Sequence, residues 1–118
     1  MAADQVEVRT KSIGRKKVRV VDLMGVLDIH ETQHLERALN SLIAGGSYWI
    51  IINFKKCNYI SSAGLGVLVG AAGEVRRHQG DLRLGNLPKK IMKIVKLLGF
   101  DKILRIYHTE KEALLSFK

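Results

Sequence analysis

The feature that most constrains the fold is an uninterrupted apolar segment, Tyr-Trp-Ile-Ile-Ile, at residues 48–52. A strand that is apolar at every position is suited to burial on both faces, so this segment predicts the central strand of a covered sheet. Segments with the apolar spacing of amphipathic helices flank it, at residues 35–43 and from Leu65 to about Gly80. Together these patterns favour a layered α/β architecture.

The other segments continue an alternation of strand and helix patterns. β-Branched residues mark strands, and Gly14 with its charged neighbours predicts a hairpin between the first two. The order β-β-α-β-α-β-α-β-α predicts a mixed β-sheet with an N-terminal hairpin and about four helices, in one α/β domain spanning residues 1–118. The other strand candidates are residues 6–9, 18–23, 82–84 and 103–107, and the two further helices run from Pro88 to Gly99 and from Thr109 onward.

The composition is that of an ordinary soluble domain. Hydrophobic residues make up 47% of the 118 residues and charged residues 26%, which excludes a disordered chain. The apolar runs are too short to span a membrane, and residues 1–5 are too polar for a signal peptide. The lone Cys57 provides neither an internal disulfide nor a cysteine-based zinc site. We therefore expect a cytoplasmic protein.

The sequence His-Glu-Thr-Gln-His at residues 30–34 matches the zinc motif H-E-x-x-H. Asp28 and Glu31, however, have the spacing of a helix N-cap and its partner three residues later, with Thr32 as a rival cap. No third ligand is evident, because the remaining histidines belong to unrelated elements. The motif therefore favours a helix start over a metal site, and an enzyme using His30 and His34 is the least favoured function.

Glycines at positions 64, 66 and 70 give the chain a superficial likeness to a phosphate-binding loop. Their spacing misses G-x-G-x-x-G by one residue, and the Lys-Ser/Thr of a P-loop is absent. Small residues at these positions instead indicate a helix whose first turns are approached closely by another backbone. We expect no cofactor.

Two serines, Ser61 and Ser62, precede the predicted second helix. Either hydroxyl can cap the helix, and either can carry a phosphate, since free N–H groups and the helix dipole favour an anion there. The residues alone do not decide between a capping role and a phosphorylation switch. Both roles can also be present together, one on each of the two neighbouring serines. A catalytic serine is disfavoured, because the G-x-S-x-G elbow is absent.

At these residues the chain resembles a known family. Gly-Val-Leu-Asp at 25–28, Asn-Phe at 53–54 and Tyr-Ile-Ser-Ser-Ala-Gly-Leu-Gly-Val-Leu at 59–68 are similar to the STAS domain of bacterial anti-sigma factor antagonists. The stretch at 61–66 is the most specific part. The order of elements also matches, so the resemblance covers essentially the whole chain.

The resemblance implies a partner-switching protein without catalysis of its own. In that family the unmodified antagonist binds an anti-sigma factor that is also a serine kinase, which uses ATP and Mg²⁺ to phosphorylate it and so releases it. A PP2C-type phosphatase reverses the step. The phosphorylated residue matches Ser62; many members have Asp before it, where this chain has Ser61, so Ser61 is the alternative. The implied partner surface comprises Asp28, Ser61, Ala63, Gly64, Leu65 and Gly66.

A second function within the same family is a STAS scaffold or sensor. Such a module would act in a stressosome-like or membrane-associated assembly with no sigma factor downstream.

The chain is basic, with 20 Lys or Arg against 11 Asp or Glu and a net charge of +9. The basic residues concentrate in the first hairpin and in the predicted third helix, where they form solvated faces. Nucleic acid is not an expected partner, because exposed stacking aromatics are not evident. A peripheral role on anionic membranes is not expected either, because no Trp-rich amphipathic helix is present, and stable membrane insertion is not expected. The charge favours an acidic partner surface.

Overall fold

A computed structural model describes residues 5–118 as a mixed five-stranded sheet with helices on both faces. Residues 1–4, which carry most of the polar N-terminal segment, lie outside the described residues. The elements are β1 (Val6–Ile13), β2 (Lys16–Leu27), α1 (Thr32–Ala44), β3 (Trp49–Ile60), α2 (Ser62–Arg76), β4 (Asp81–Gly85), α3 (Lys89–Leu97), β5 (Arg105–Tyr107) and α4 (Glu110–Leu115), with a 3₁₀ turn at Phe100–Lys102 between α3 and β5.

The sheet has the order β1-β2-β3-β4-β5. β1 and β2 form an antiparallel hairpin, and all later pairs are parallel. This confirms the predicted α/β class, the initial hairpin and the mixed sheet. Because β2, β3 and β4 are parallel, their carboxyl ends meet at one edge of the sheet, and the segments that lead into α1, α2 and α3 leave from that edge.

The apolar strand β3 is buried on both faces, as its sequence predicts. Ile50 and Ile52 pack into the larger core beneath α1, α2 and α3. Ile51 points to the opposite face, where it packs with Ala113 and Phe117 of the α4 region. All three isoleucines are fully buried. The sheet is thus held rigidly from both sides, which fixes the positions of the loops at its carboxyl edge.

The second helix ends earlier than predicted. It begins at Ser62, directly after its cap Ser61, as the serine pair indicated, and it ends at Arg76, well before Gly80. A Cβ on Gly80 would lie 1.9 Å from the carbonyl oxygen of Tyr48, so the chain must pass that backbone as glycine. Gln79 has a φ of 63°, which also takes the chain out of the helix. The close approach of two backbones therefore ends the helix early.

Strand bounds also differ from those predicted. β3 continues to Ile60, because residues 53–60 keep pairing with β2 although several of their side chains are exposed and polar. β5 begins at Arg105 rather than at residue 103, because the 3₁₀ turn extends into that segment. The N–H groups of Ile103 and Leu104 both donate to the carbonyl of Phe100, at 3.0 and 2.8 Å, so they are not available to the sheet.

Candidate functional site

The two serines lie at the carboxyl edge of the sheet, where β3 passes directly into α2. The backbone N–H of Ser61 donates to the carbonyl of Leu27, the last residue of β2, at 2.9 Å. This bond joins the start of α2 to the end of the neighbouring strand. The site is therefore anchored to two strands of the rigid sheet.

Ser61 is the N-cap of α2. Its backbone is extended, and its hydroxyl oxygen accepts a hydrogen bond from the N–H of Gly64 at 3.0 Å. The same hydroxyl lies 3.2 Å from the hydroxyl of Thr32 at the start of α1. Ser61 is half-buried, and both bonds use its side chain to hold the first turn of α2 in place.

Ser62 is the first residue of α2 and is exposed. Its hydroxyl makes no hydrogen bond to any residue from 5 to 118. It stands at the positive end of the helix dipole, where an added negative charge is tolerated. The two serines thus differ in their contacts. Ser61 caps the helix, whereas Ser62 presents to solvent a hydroxyl that is unbonded among the described residues.

Asp28 is exposed in the turn between β2 and α1 and organises that turn. One carboxylate oxygen accepts from the N–H groups of His30 and Glu31, at 3.0 and 3.2 Å. The backbone carbonyl of Asp28 accepts from the N–H and from the hydroxyl of Thr32, each at 3.0 Å. Asp28 therefore caps the turn that precedes the helix. The prediction that Asp28 is the N-cap of α1 was wrong, because the N-cap is Glu31, which makes no side-chain capping bond.

Thr32 connects the two halves of the site. Its hydroxyl donates to the Asp28 carbonyl and lies next to that of Ser61, so it joins the β2–α1 turn to the start of α2. The sequence indicated Thr32 only as a rival helix cap. Its connecting role depends on the parallel alignment of β2 and β3, which brings together residues 29 positions apart.

Gly25 explains the first part of the Gly-Val-Leu-Asp motif. Its φ of +73° favours glycine, and the pairing of β2 with β3 shifts register between Gly25 and Val26. The next core residue, Leu27, is fully buried. The register shift at Gly25 therefore determines where β2 ends and where the chain leaves the sheet at Asp28.

The glycines of α2 differ in what surrounds them. A Cβ on Gly64 would lie 2.7 Å from Cγ1 of Ile60, so the packing of the helix start requires glycine there. Around Gly66, Gly70 and Gly73 the space is open for a Cβ, and all three are exposed. Nothing within the described fold explains these three glycines, although each weakens the helix. They and the exposed Ala63 leave an uncovered backbone surface beside Ser62.

Ala63, Gly66 and Gly70 also line a groove of about 700 Å³ between α1 and α2. Leu39 and Ile43 form part of its α1 side. The groove begins next to Ser62, so a partner that covers the serine can also lie along the two helices.

Leu65 does not belong to this surface. It is 0% exposed and packs in the main core, so its proposed direct contact with a partner is corrected. Gly64 is also buried. Both support the start of α2 from within, whereas Asp28, Ala63 and Gly66 are exposed around Ser62.

Three exposed apolar residues at this edge were not identified from the sequence. Val26 and Tyr59 are register partners at the ends of β2 and β3, and Ile29 follows in the next turn with 66% of its surface exposed. Apolar residues at strand ends are ordinarily expected in the core, so nothing in the sequence predicted that these three side chains are exposed. The register shift beside Val26 was the feature that could not be anticipated.

The H-E-x-x-H segment does not form the helical metal geometry. His30 lies in the turn before α1, so the two imidazoles are not one turn apart on a helix. Glu31 instead pairs with Nδ1 of His34 at 3.0 Å. Within residues 5–118, no three His, Cys, Asp or Glu side chains gather as a metal site.

The opposite face of the sheet carries an ion cluster that holds α4. Arg9 donates to both Asp22 and Glu110, at 2.8 and 3.2 Å in two of its bonds, and Asn53 donates to Asp22 at 2.8 Å. Burial raises the pKa of Asp22, but the bonds from Arg9 and Asn53 outweigh it, so the pKa lies below its usual range. The bond from Arg9 likewise lowers the pKa of Glu110.

A cleft of about 1030 Å³ lies away from the serines. It is lined by residues at the amino ends of β3 and β4, among them Trp49 and Asp81. Asp81 accepts from Arg76 and from Arg83, at 2.8 Å each, so its charge is balanced within the fold. These contacts have a structural role, and the chemistry of interest remains at the carboxyl edge.

Comparison with known proteins identifies the family. The STAS domain profile matches residues 9–113, and the chain belongs to the STAS domain family. It is 30% identical to the anti-sigma-B factor antagonist of Bacillus subtilis over 73% of this chain and 78% of that protein. It is 26% identical to the anti-sigma F factor antagonist of Paenibacillus polymyxa over 82% of this chain and 84% of that protein.

A solved structure shares the fold. The Bacillus cell fate determinant SpoIIAA, in its phosphorylated form, superposes with a TM-score of 0.69 at 23% identity, covering 95% of this chain and 100% of that one. Among the described helices of this chain, none has the length and apolar character needed to cross a bilayer.

Proposed function

We propose that the protein is an anti-sigma factor antagonist controlled by phosphorylation of Ser62. Unmodified, it binds an anti-sigma factor with serine kinase activity; once phosphorylated, it is released, and a PP2C-type phosphatase restores it. The observation that carries the proposal is the exposed hydroxyl of Ser62, which is unbonded among residues 5–118 and stands beside a neighbour whose hydroxyl is bonded. The relatives named as anti-sigma factor antagonists support the same function.

The surface around Ser62 suits a partner that approaches closely. Asp28, Ala63 and Gly66 would contact it, while Ser61 and Gly64 shape the start of α2. The exposed Val26, Ile29 and Tyr59 would add apolar area at the same edge. Because Gly66 has no Cβ, the partner can reach the helix backbone itself.

A phosphate at Ser62 would act by blocking this contact. It carries about −1.5 to −2 charges. A dianion enclosed in an interface without a matching cation costs several kcal/mol through desolvation and repulsion. Since each 1.4 kcal/mol changes an equilibrium constant about tenfold, the affinity falls by orders of magnitude. The fold itself accepts the phosphate, because it sits at a helix N-terminus.

In this function the chain catalyses no reaction of its own. Residues 1–118 act as one STAS domain in the cytoplasm, and the chemistry belongs to the kinase and the phosphatase. The ATP and Mg²⁺ are bound by the kinase, so the antagonist needs no cofactor.

The test of the modified residue is mass spectrometry after incubation with ATP, Mg²⁺ and the kinase encoded beside this protein. We expect one phosphate on Ser62, retained in Ser61→Ala and lost in Ser62→Ala. Modification of Ser61 in the wild-type chain would contradict the assignment.

The test of the switch is calorimetric titration of the same kinase with Ser62→Asp and Ser62→Asn. The two side chains have similar size and differ in charge, so Asn is the matched control. We expect Asp to weaken binding at least tenfold relative to Asn. Equal, tight binding by both variants would overturn the switch and favour a STAS scaffold that does not depend on phosphorylation.

A further inference from the structure

Helix α3 ends in an exposed leucine on the same face as its lysines. Leu97 is 85% exposed, although Ile91 and Val95 of the same helix are buried in the core. It follows Lys93 by four residues and Lys90 by seven, so all three side chains lie on the outward face. This leucine therefore adds nothing to the core.

Two further apolar residues are exposed close by in the chain. Leu98 and Ile103 are each 44% exposed at the end of α3 and in the turn that follows. The helix contributes four lysines and no acidic residue. We call this surface the α3 patch; it comprises Lys89, Lys90, Lys93, Lys96, Leu97, Leu98 and Ile103.

We propose that the α3 patch binds the surface of an anionic phospholipid membrane. Lysine ammonium groups attract acidic headgroups, and their long apolar stems can lie along an interface while the charge stays in water. Leu97 projects among them and would enter the boundary between headgroups and acyl chains. Charge and shape thus complement a lipid surface, which the protein would bind peripherally.

The composition of the patch favours lipid over the other anionic partners. Protein interfaces are depleted in lysine, and their strongest contacts come from Arg, Trp and Tyr. The cations of the α3 patch are lysines, with Arg76 only at its border, where it donates to the carbonyl of Ile103, and the patch includes no aromatic residue. A nucleic acid would leave Leu97 against phosphates and would find no ring for its bases to stack on.

The patch is separate from the serine site. Lys96 and Ile103 line the same cleft as Trp49 and Asp81, the first residues of β3 and β4. Leu97 therefore lies toward the amino ends of the strands, whereas Ser62 is at their carboxyl edge. A membrane on the α3 patch leaves the partner surface open, and this inference is independent of the proposed function.

The test is co-sedimentation with two kinds of vesicle, at about 0.1 M salt, where surface charges still attract over roughly 10 Å. One kind is phosphatidylcholine alone, and the other contains about one-third phosphatidylglycerol. We expect binding to the anionic vesicles and not to the neutral ones. Lys93→Glu should weaken it about tenfold, and Leu97→Ser several-fold.

Matched changes on α4 serve as controls. Lys111→Glu makes the same charge change, and Leu115→Ser removes another exposed leucine, so both should bind like wild type. Equal losses in Lys93→Glu and Lys111→Glu would show general charge attraction and overturn the proposal. A protein that does not bind anionic vesicles would also overturn the proposal, and so would one that binds polyglutamate or DNA but not the vesicles. Full binding by Leu97→Ser would overturn it too.

Discussion

Neighbouring serines can differ completely in chemistry when a helix begins between them. Ser61 precedes the first turn of α2, and its hydroxyl oxygen accepts a hydrogen bond from the N–H of Gly64. Ser62 is the first residue within that turn and points into solvent. One backbone transition, from extended to helical, therefore leaves the first hydroxyl bonded within the fold and the second exposed to solvent.

We predict that Ser61→Ala lowers the free energy of unfolding by about 1 to 2 kcal/mol, because it removes a helix cap and the bond to Thr32. Ser62→Ala should change it by no more than about 0.5 kcal/mol, as an exposed substitution. Urea unfolding of both variants measures the difference. Equal losses in the two variants would show that the cap is shared between the serines.

A second prediction compares two glycines of α2. Gly64→Ala should destabilise the fold by about 1 kcal/mol or more, because its Cβ would meet the buried Ile60. Gly66→Ala should stabilise it by up to about 1 kcal/mol, because its Cβ has open space and alanine favours helix.

If the proposed function holds, the same Gly66→Ala variant should bind the kinase partner more weakly, although it is more stable. Thermal unfolding and calorimetric titration of one preparation give both values. Unchanged binding would show that the partner does not approach the backbone at Gly66.

At the scale of elements, α4 is held against the sheet by charge as well as by Phe117. Arg9 of β1 bonds Asp22 of β2 and Glu110, the first residue of α4. The carboxylates are largely shielded while Arg9 is partly exposed, so salt screens the cluster only in part. The hairpin and the last helix are thereby joined across the sheet.

This cluster predicts a pH dependence of stability. The folded pKa values of Asp22 and Glu110 lie below those of the unfolded chain, which are about 4. Their contribution is therefore complete above about pH 4 to 5 and is lost as the pH falls through the folded values. Urea unfolding should show a smaller loss between pH 6 and pH 3 in Glu110→Gln than in wild type.

The control for that experiment is Glu36→Gln, an exposed residue of α1 outside every ion pair among residues 5–118. It should keep the wild-type pH profile. An unaltered profile in Glu110→Gln as well would place the acid sensitivity elsewhere, with Asp81 as the next candidate.

The order of elements could be predicted because each carries its own periodicity. The apolar run of β3 and the spacing in α1 depend on local sequence, and both were confirmed. The end of α2 could not be predicted, because it depends on Gly80 passing the backbone of Tyr48 from another element. For the site, the motif indicated both serines, but only the folded structure shows where α2 begins, and therefore which of the two hydroxyls caps it.

At the scale of the whole molecule, the serine site rests on a sheet packed on both faces. A charge added at Ser62 meets solvent and the positive end of α2, with no core contact to disrupt. The effect of phosphorylation should therefore remain local.

We predict that Ser62→Asp leaves the fold and its stability unchanged or raises stability by about 0.3 to 1 kcal/mol. Amide NMR shifts should change near the β2–α1 turn and the start of α2, and not in α3 or α4. Widespread shift changes, or a large fall in the unfolding midpoint, would instead indicate a global rearrangement.

The bond between Ser61 and Gly64 has a consequence for enzyme fidelity. An enzyme that attacked Ser61 would first have to break the bond from Gly64 and the contact with Thr32, whereas the hydroxyl of Ser62 is exposed and makes no hydrogen bond within residues 5–118. Under the proposed function, the conformation of the substrate would direct the kinase to one of two identical side chains. A short synthetic peptide containing both serines would lack that conformation, and a kinase acting on it should lose the discrimination it shows on the folded protein.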